Sequence, residues 1–217
     1  MNHMDWELFL LPYQQAVDEL SMKFRHIKRE YAARHELSPI ENVVGRVKTP
    51  ESILSKAKRK SIPESDIEKM LDDIAGVRII CRFVEDIETI VEMIHRRRAF
   101  DMDVLRVRDY IRAAKPSGYR SYHLILQVPL LMQNGLKHVR VEVQIRTMAM
   151  NFWATIEHSF RYKYKGNVPD ALKERLIQAS DAAFHLDKEM GTIRGEMADA
   201  YKDLPSHIWG EFHDVRR

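Results

Sequence analysis

The segment Val141-Glu-Val-Gln-Ile-Arg146 alternates strictly, with Val141, Val143 and Ile145 on one side and Glu142, Gln144 and Arg146 on the other. Side chains of a β-strand repeat every two residues, so a strand is the regular element that sorts these six into one apolar and one polar face. The apolar face has to be covered by a core. The polar face suits either solvent or a cleft, and the strand alone leaves both open.

Other short β-branched or aromatic runs can pair with it: Val77 to Val84, Val104 to Val107 and Tyr122 to Val128. Asn134-Gly135, lying between Tyr122–Val128 and His138–Arg146, is a strong hairpin signal. Helical patterns intervene at Pro50 to Lys60, Asp86 to Ala99 and Thr147 to Tyr164. Long amphipathic helices flank this middle. Trp6, Leu10, Tyr13, Val17, Leu20, Phe24, Ile27 and Tyr31 form one stripe, with Pro12 placed to bend the helix near its start. Leu172, Leu176, Ala179, Ala183, Leu186, Met190, Ile193 and Met197 form another, opened by Pro169 and Asp170. Each stripe can pack within the chain or be shared with a second subunit, and the intrachain arrangement is the first expectation. The fold expected is α+β: a mixed sheet of about five strands flanked by helices, with a helix at about 4–31 and another at about 170–202. One domain spans 1–204, and 205–217 read as a tail.

Composition narrows function mainly by exclusion. Lys+Arg number 35 against 32 Asp+Glu, so a net charge of +3 does not mark a protein that coats nucleic acid. The single cysteine, Cys81, cannot form an internal disulfide and sits in an apolar run. The first residues lack the order of a signal peptide, and no stretch approaches the roughly 20 apolar residues of a membrane span. A soluble, cytoplasmic protein without a membrane partner is the expectation.

Three segments concentrate the chemistry: Asp73-Ile-Ala-Gly-Val-Arg78, Ser117-Gly-Tyr-Arg-Ser-Tyr-His123 and the strand of Glu142. Asp73, at the entrance to a strand, is placed to hold a divalent cation, with Asp72 a rival ligand or a capping residue. Gly76 suggests a turn or a close backbone approach. Arg78 and Arg82 alternate with apolar residues, and an arginine facing a cleft can stack on a base or bind phosphate; for Arg82 a surface salt bridge is the alternative. Tyr119, after the chain break at Ser117-Gly118, can project as a platform for a purine, with Lys115 and His123 near phosphate or ribose oxygens. Packing roles for Tyr119 and Tyr122 and a structural role for His123 remain open, and Arg108 and Arg120 are ambiguous. Glu142 can complete a metal site with Asp73 or accept a proton from an attacking hydroxyl. Upstream, Thr49-Pro50-Glu51 opens a helix on which Ser52, Lys56 and Arg59 share a face, either a phosphate rail or a solvated basic surface. Arg46 and Lys48 precede it in an alternating segment. Glu157 and Arg161 form an i, i+4 pair.

Taken together, Ser38-Pro-Ile-Glu41, Gly45-Arg-Val-Lys48, the Asp73, Ser117 and Glu142 segments and Ala149-Met-Asn-Phe-Trp-Ala-Thr-Ile-Glu-His158 resemble the synthetase domain of RelA/SpoT homologues, most of all the single-domain small alarmone synthetases of the RelQ type. The resemblance covers most of the chain. It implies a nucleotidyltransferase-like synthetase fold and transfer of the β,γ-pyrophosphoryl group of ATP to the ribose 3′-hydroxyl of GDP or GTP, yielding ppGpp or pppGpp in the stringent response. It implies Mg2+ on Asp73 and Glu142, with Glu142 the base. Arg46 and Arg78 would sandwich adenine, and Lys48, Ser52, Lys56 and Arg59 would hold the ATP phosphates. Tyr119 would stack on guanine; Lys115, His123, Gln144 and Arg108 would serve the acceptor. Synthesis without hydrolysis is expected, since the hydrolase domain of multidomain relatives does not fit in this chain and His213-Asp214 is an isolated pair. A homotetramer, a pppGpp effector on Arg25, Asn42 and Asn151, and a single-stranded RNA regulator are further implications of the type, although Ser21 and Asn42 stand where lysine and phenylalanine are common. Two other readings of the residues are a magnesium-dependent nucleotidyltransferase and a non-enzymatic RNA-binding module.

Overall fold

The computed structural model describes residues 5–98, 100–164 and 168–202. The tail at 205–217, with His213-Asp214, lies outside them. Helix α1 (Trp6–Ala33) is followed by strand β1 (Asn42–Val47), helix α2 (Pro50–Arg59), the short helix α3 (Ile67–Met70), β2 (Ala75–Cys81), α4 (Val84–Arg96), β3 (Asp103–Asp109), β4 (Tyr122–Met132), β5 (Gly135–Thr147), α5 (Met148–Lys163) and α6 (Asp170–Lys202). The five strands form one sheet in the order β1-β2-β5-β4-β3. Only β2 and β5 run parallel; the other neighbours are antiparallel, so the sheet is mixed as expected. The hairpin expected at Asn134-Gly135 joins β4 to β5, with Gly135 at φ +108°, a left-handed conformation that suits glycine.

Register sorts the sheet into two faces. Val77, Ile79, Val141, Val143, Ile145, Leu124 and Leu126 are buried on one, and α1 lies across it, touching β1, β2, β4 and β5. The helix presses so close that a Cβ at Gly45 would stand 2.3 Å from Val17 Cγ1 and 2.8 Å from Ser21 Oγ. Pro12 is accommodated inside α1, which Asp5 caps through hydrogen bonds from the Glu7 and Leu8 amides. Thr49 caps α2 by accepting from the Ser52 amide, and Pro50 occupies its first turn.

The opposite face carries the polar residues. One cross-strand row reads Arg46, Gly76, Glu142, Ile125, Arg106, and the next reads Val44, Arg78, Gln144, His123, Arg108. The last member of each row depends on a bulge. Val104 pairs with Leu126, Leu105 is skipped, and Arg106 then pairs with Ile125. Without that extra residue Arg106 and Arg108 would point to the apolar side; the bulge moves both to the polar face.

Helix α6 departs from expectation. Its apolar stripe was expected to pack within the chain, yet Leu172, Leu186, Met190, Ile193 and Met197 are exposed. The side turned inward against α5 and α4 instead carries Ser180 and Asp187, both buried, and the half-buried Phe184. Specific polar bonds fix this orientation: Thr147 Oγ1 donates to Asp187 Oδ2 at 2.6 Å, and Arg194 pairs with Asp86 at 3.0 Å. Burying the stripe would leave those groups without partners.

Candidate active site

Two carboxylates mark the polar face, each held by different partners. Asp73 lies just before β2. Its Oδ2 accepts from both Lys48, which follows β1, and Lys56 of α2. Burial works to raise the Asp73 carboxyl, but the two ammonium groups overcome it and hold it below the usual carboxylate range. Burial also lowers Lys48, although its bond to Asp73 opposes this. Asp73 Oδ1 is buried and has no hydrogen-bond partner. Asp72 has a different task from that of a ligand: Arg106 reaches its Oδ2 at 2.5 Å and Arg140 its Oδ1 at 3.1 Å, tying the approach to Asp73 down onto the sheet.

Glu142, in the middle of β5, is bonded on both oxygens. His123 Nδ1 lies 3.1 Å from Oε1, and Gln144 Nε2 donates to Oε2 at 2.8 Å. Burial works to raise this carboxyl too; His123 and Gln144 outweigh it, and the group is held low although the nearby Asp73 charge pushes it up. Glu142 is therefore ionised at neutral pH. Gly76, mid-row between Arg46 and Glu142, is not in a turn; it lies within β2, where its missing side chain leaves the floor between those two residues open.

A connected chain of bonds runs from Glu142 to Tyr119. His123 Nδ1 faces the carboxylate, its Nε2 lies 2.8 Å from the Tyr119 hydroxyl, and that hydroxyl accepts from Arg146 Nη2 at 2.6 Å. Arg146 also donates to Gln144 Oε1 at 2.9 Å and to Ser121 Oγ at 3.4 Å. The loop that presents Tyr119 closes through Gly118 N–H to Lys115 O and Lys115 N–H to Tyr119 O. Lys115 Nζ stands over two rings, 4.4 Å from the centroid of Tyr110 and 4.7 Å from that of Tyr119.

The remaining candidates are spread over the polar face, α2, the edge strand, the neighbourhood of α1 and α5. Arg46 and Arg78 share the polar face diagonally across β1 and β2; burial lowers Arg78, and the charges of Arg146 and Arg46 add to that. Such a crowd of cations on an open face calls for an electron-rich partner. Ser52 and Arg59 are exposed on α2, with Lys56 half-buried between them. Arg108 is exposed on the edge strand beside His123. Arg25 donates to Val43 O at 3.4 Å, close to Asn42 at the start of β1. Asn151 of α5 is drawn elsewhere, accepting from Arg78 Nη1 at 3.4 Å. Arg82 pairs with Glu41, the salt bridge that was its alternative reading. The Arg161 side chain lies outside the described ones.

Arg146 and Tyr110 are the residues that sequence reasoning left without a role. Period two places Arg146 on the same strand face as Glu142, which was its available signal. Nothing in the sequence brings Tyr110 against Tyr119 and His123, whose ring centroids lie 6.2 and 5.2 Å away.

A sequence profile of the region found in RelA and SpoT proteins matches residues 45–167, more than half the chain, and takes in the site residues from Arg46 to Asn151, while Arg25 and Asn42 precede it. The chain belongs to the RelA/SpoT family. Within that family it is 56% identical over 200 residues to the GTP pyrophosphokinase YjbM of Bacillus subtilis, covering 92% of this chain and 93% of that one. Its fold superposes with a TM-score of 0.86 on the small alarmone synthetase 1 of Bacillus subtilis bound to its product pppGpp, at 57% identity over 89% of this chain and 98% of that chain. The same synthetase bound to AMPCPP gives a TM-score of 0.77 at 52% identity, again over 89% and 98%. This RelA/SpoT chain thus matches those relatives over nearly their whole length. Among the described residues no helix is long and apolar enough to cross a membrane.

Proposed function

We propose that this chain is a (p)ppGpp synthetase, a GTP pyrophosphokinase that moves the β,γ-pyrophosphoryl group of ATP to the 3′-hydroxyl of GDP or GTP and releases AMP. The observation that carries this reading is the bonded chain from Tyr119 through His123 to Glu142: it joins a surface suited to a purine to an ionised carboxylate. Full-length similarity to a product-bound synthetase supports the same reading.

In the mechanism proposed, guanine stacks on Tyr119, with Lys115, Gln144 and Arg108 near the acceptor's ribose and phosphates. Arg46 and Arg78 lie on either side of adenine, and Lys48, Ser52, Lys56 and Arg59 take the ATP phosphates. Glu142 accepts the hydrogen of the acceptor 3′-hydroxyl and orients its oxygen toward the β-phosphorus. As the bond from the 3′-oxygen to the β-phosphorus forms, the bond from that phosphorus to the α,β-bridging oxygen breaks, and AMP leaves with that oxygen. The hydroxyl proton passes to Glu142. A low carboxyl suffices because phosphoryl-type transition states need positioning and charge neutralisation more than early deprotonation.

Mg2+ fits the donor set. Asp73 Oδ1 is buried without a hydrogen-bond partner, and Glu142 is near enough for the Asp73 charge to act on it. Among the described residues no group of three or more His, Cys, Asp or Glu side chains is arranged to hold a metal, so phosphate oxygens and water would complete an oxygen shell. When bound, the ion would neutralise the charge of the transferring group.

The assembly proposed is a cytoplasmic homotetramer, supported by the exposed α6 stripe and by Phe152, which is 70% exposed on α5. An effector site for pppGpp involving Arg25 and Asn42 belongs to the same proposal, with Asn151 assigned instead to positioning Arg78.

The test uses GDP or GTP with ATP labelled at either the α or the γ position. The γ label is expected in the guanine product, with AMP formed in equal amount. An α-labelled guanine product with release of pyrophosphate would instead establish a nucleotidyltransferase.

A further inference from the structure

The loop that carries Tyr119 is fixed from outside the site, by the inward face of α6. Gly118 and Arg120, the two neighbours of Tyr119, are both tied there. Ser180 Oγ, in a residue only 4% exposed, donates to Gly118 O. Asp181 accepts from Arg120 Nη2 at 3.0 Å, and the Arg120 guanidinium lies 4.1 Å from the centroid of Phe184. Arg120 Nη1 also donates to Ile111 O at 3.1 Å, so one side chain joins both arms of the loop to the helix. The approach is close: Gly118 has φ +86°, and a Cβ there would stand 2.9 Å from Ser180 Cβ and 3.3 Å from Ile177 Cα. Tyr119, between these two tethered residues, points its hydroxyl to His123 and Arg146 instead.

Apolar packing would hold α6 in place without specifying its register to within one bond. Directional polar contacts do specify it, because a shift of the helix breaks them. About two turns further along, Asp187 accepts from Thr147, the residue after Arg146, and Thr147 Oγ1 in turn accepts from the Met150 amide in the first turn of α5. Both ends of the Tyr119–Arg146 bond are therefore referenced to one helix.

We infer that α6 positions the acceptor nucleotide: Ser180 and Asp181 are positioning residues that act by holding Gly118 and Arg120 on either side of Tyr119. This rests on the proposed role of Tyr119 as the guanine platform. Loosening the seam lets the platform move and weakens acceptor binding, while the ATP side, built from β1, α2 and β2, is untouched.

Steady-state kinetics of the full chain, varying GDP or GTP at saturating ATP and then varying ATP, tests it. Ser180→Ala is expected to raise the acceptor KM about fivefold, the loss of one net hydrogen bond. Asp181→Asn, at a half-exposed position, is expected to raise it about two- to threefold, and Asp181→Glu to restore it. The KM for ATP and the kcat at saturation should stay at wild-type values, while the lost buried bond lowers the melting temperature of Ser180→Ala by about 2–4 °C. Tyr119→Ala serves as the reference: it should raise the acceptor KM by itself, and adding Ser180→Ala to it should have no further effect. If Tyr119→Ala raises the acceptor KM and the α6 variants do not, the positioning role is overturned while the platform stands. An equal rise in both KM values, or a further effect of Ser180→Ala in the Tyr119→Ala background, also overturns it. An unchanged acceptor KM in Tyr119→Ala refutes the platform itself, and the positioning role falls with it.

Discussion

Replacing Asp187 by asparagine should stabilise the protein at neutral pH and lose that advantage in acid. Asp187 is 5% exposed, and burial first of all, aided by the nearby Glu85 charge and opposed by the bond from Thr147, pushes its carboxyl up from 3.8 to about 6. Below the unfolded value both states hold the proton and the residue is silent. Between 3.8 and about 6 the unfolded chain releases a proton that the folded chain keeps, so stability falls as pH rises through this window and stays lowered above it. The full rise corresponds to about 3 kcal/mol at 1.36 kcal/mol per pKa unit. Asparagine keeps an oxygen to accept from Thr147 but brings an amide N–H that needs its own partner, at a cost of about 1 kcal/mol or more. A net gain of about 1–2 kcal/mol at pH about 7.5 results, or roughly 2–4 °C in Tm per kcal/mol for a chain of this size. Thermal and urea unfolding at fixed protein concentration, from pH about 4 to about 8, measure it. Asp187→Asn should exceed wild type near pH 7.5 and fall level with or below it near pH 4. An advantage that is the same at both ends, or a loss at both, would refute the argument that an ionised carboxylate is forced into a dry position.

Glu142→Gln cannot take a proton, and its single oxygen can accept from only one of His123 and Gln144, which bond to different carboxylate oxygens; kcat should fall by about a hundredfold or more at a stability cost of about 1–3 kcal/mol, as read by AMP formation and calorimetry. Gly45→Ala places a methyl 2.3 Å from Val17 Cγ1 and forces α1 off the sheet, so urea titration should show a loss of about 1–3 kcal/mol. Ser21, 3% exposed, has a buried hydroxyl without a partner; Ser21→Ala removes that unmet group and should raise stability by about 1 kcal/mol in the same titration.

The elements and their types were written in local patterns. Period-two alternation places Glu142, Gln144 and Arg146 on one strand face, and the 3–4 spacing from Trp6 to Tyr31 defines the helix that covers the other face. Asn134-Gly135 sets the hairpin because few sequences accept its backbone. Residue types also supplied the reading of two carboxylates, a tyrosine and a set of basic groups as one site, since the strand ends that carry them fall in one sheet.

Partner choice was not local, and the tertiary structure decided it. The stripe on α6 has the spacing of a buried seam, yet the helix turns Ser180, Phe184 and Asp187 inward, because Gly118, Arg120 and Thr147 offer them bonds that a periodicity cannot register. Asp72 and Asp73 are adjacent and chemically identical; only the approach of Arg106 and Arg140 to one and of Lys48 and Lys56 to the other separates strut from candidate ligand. Arg106 and Arg108 reach the polar face through a bulge at Leu105 that no composition announces. A side chain's periodicity is encoded within a few residues of it, whereas its charge partners come from tens of residues away, and the difference in energy between one partner and another exists only once the chain has closed.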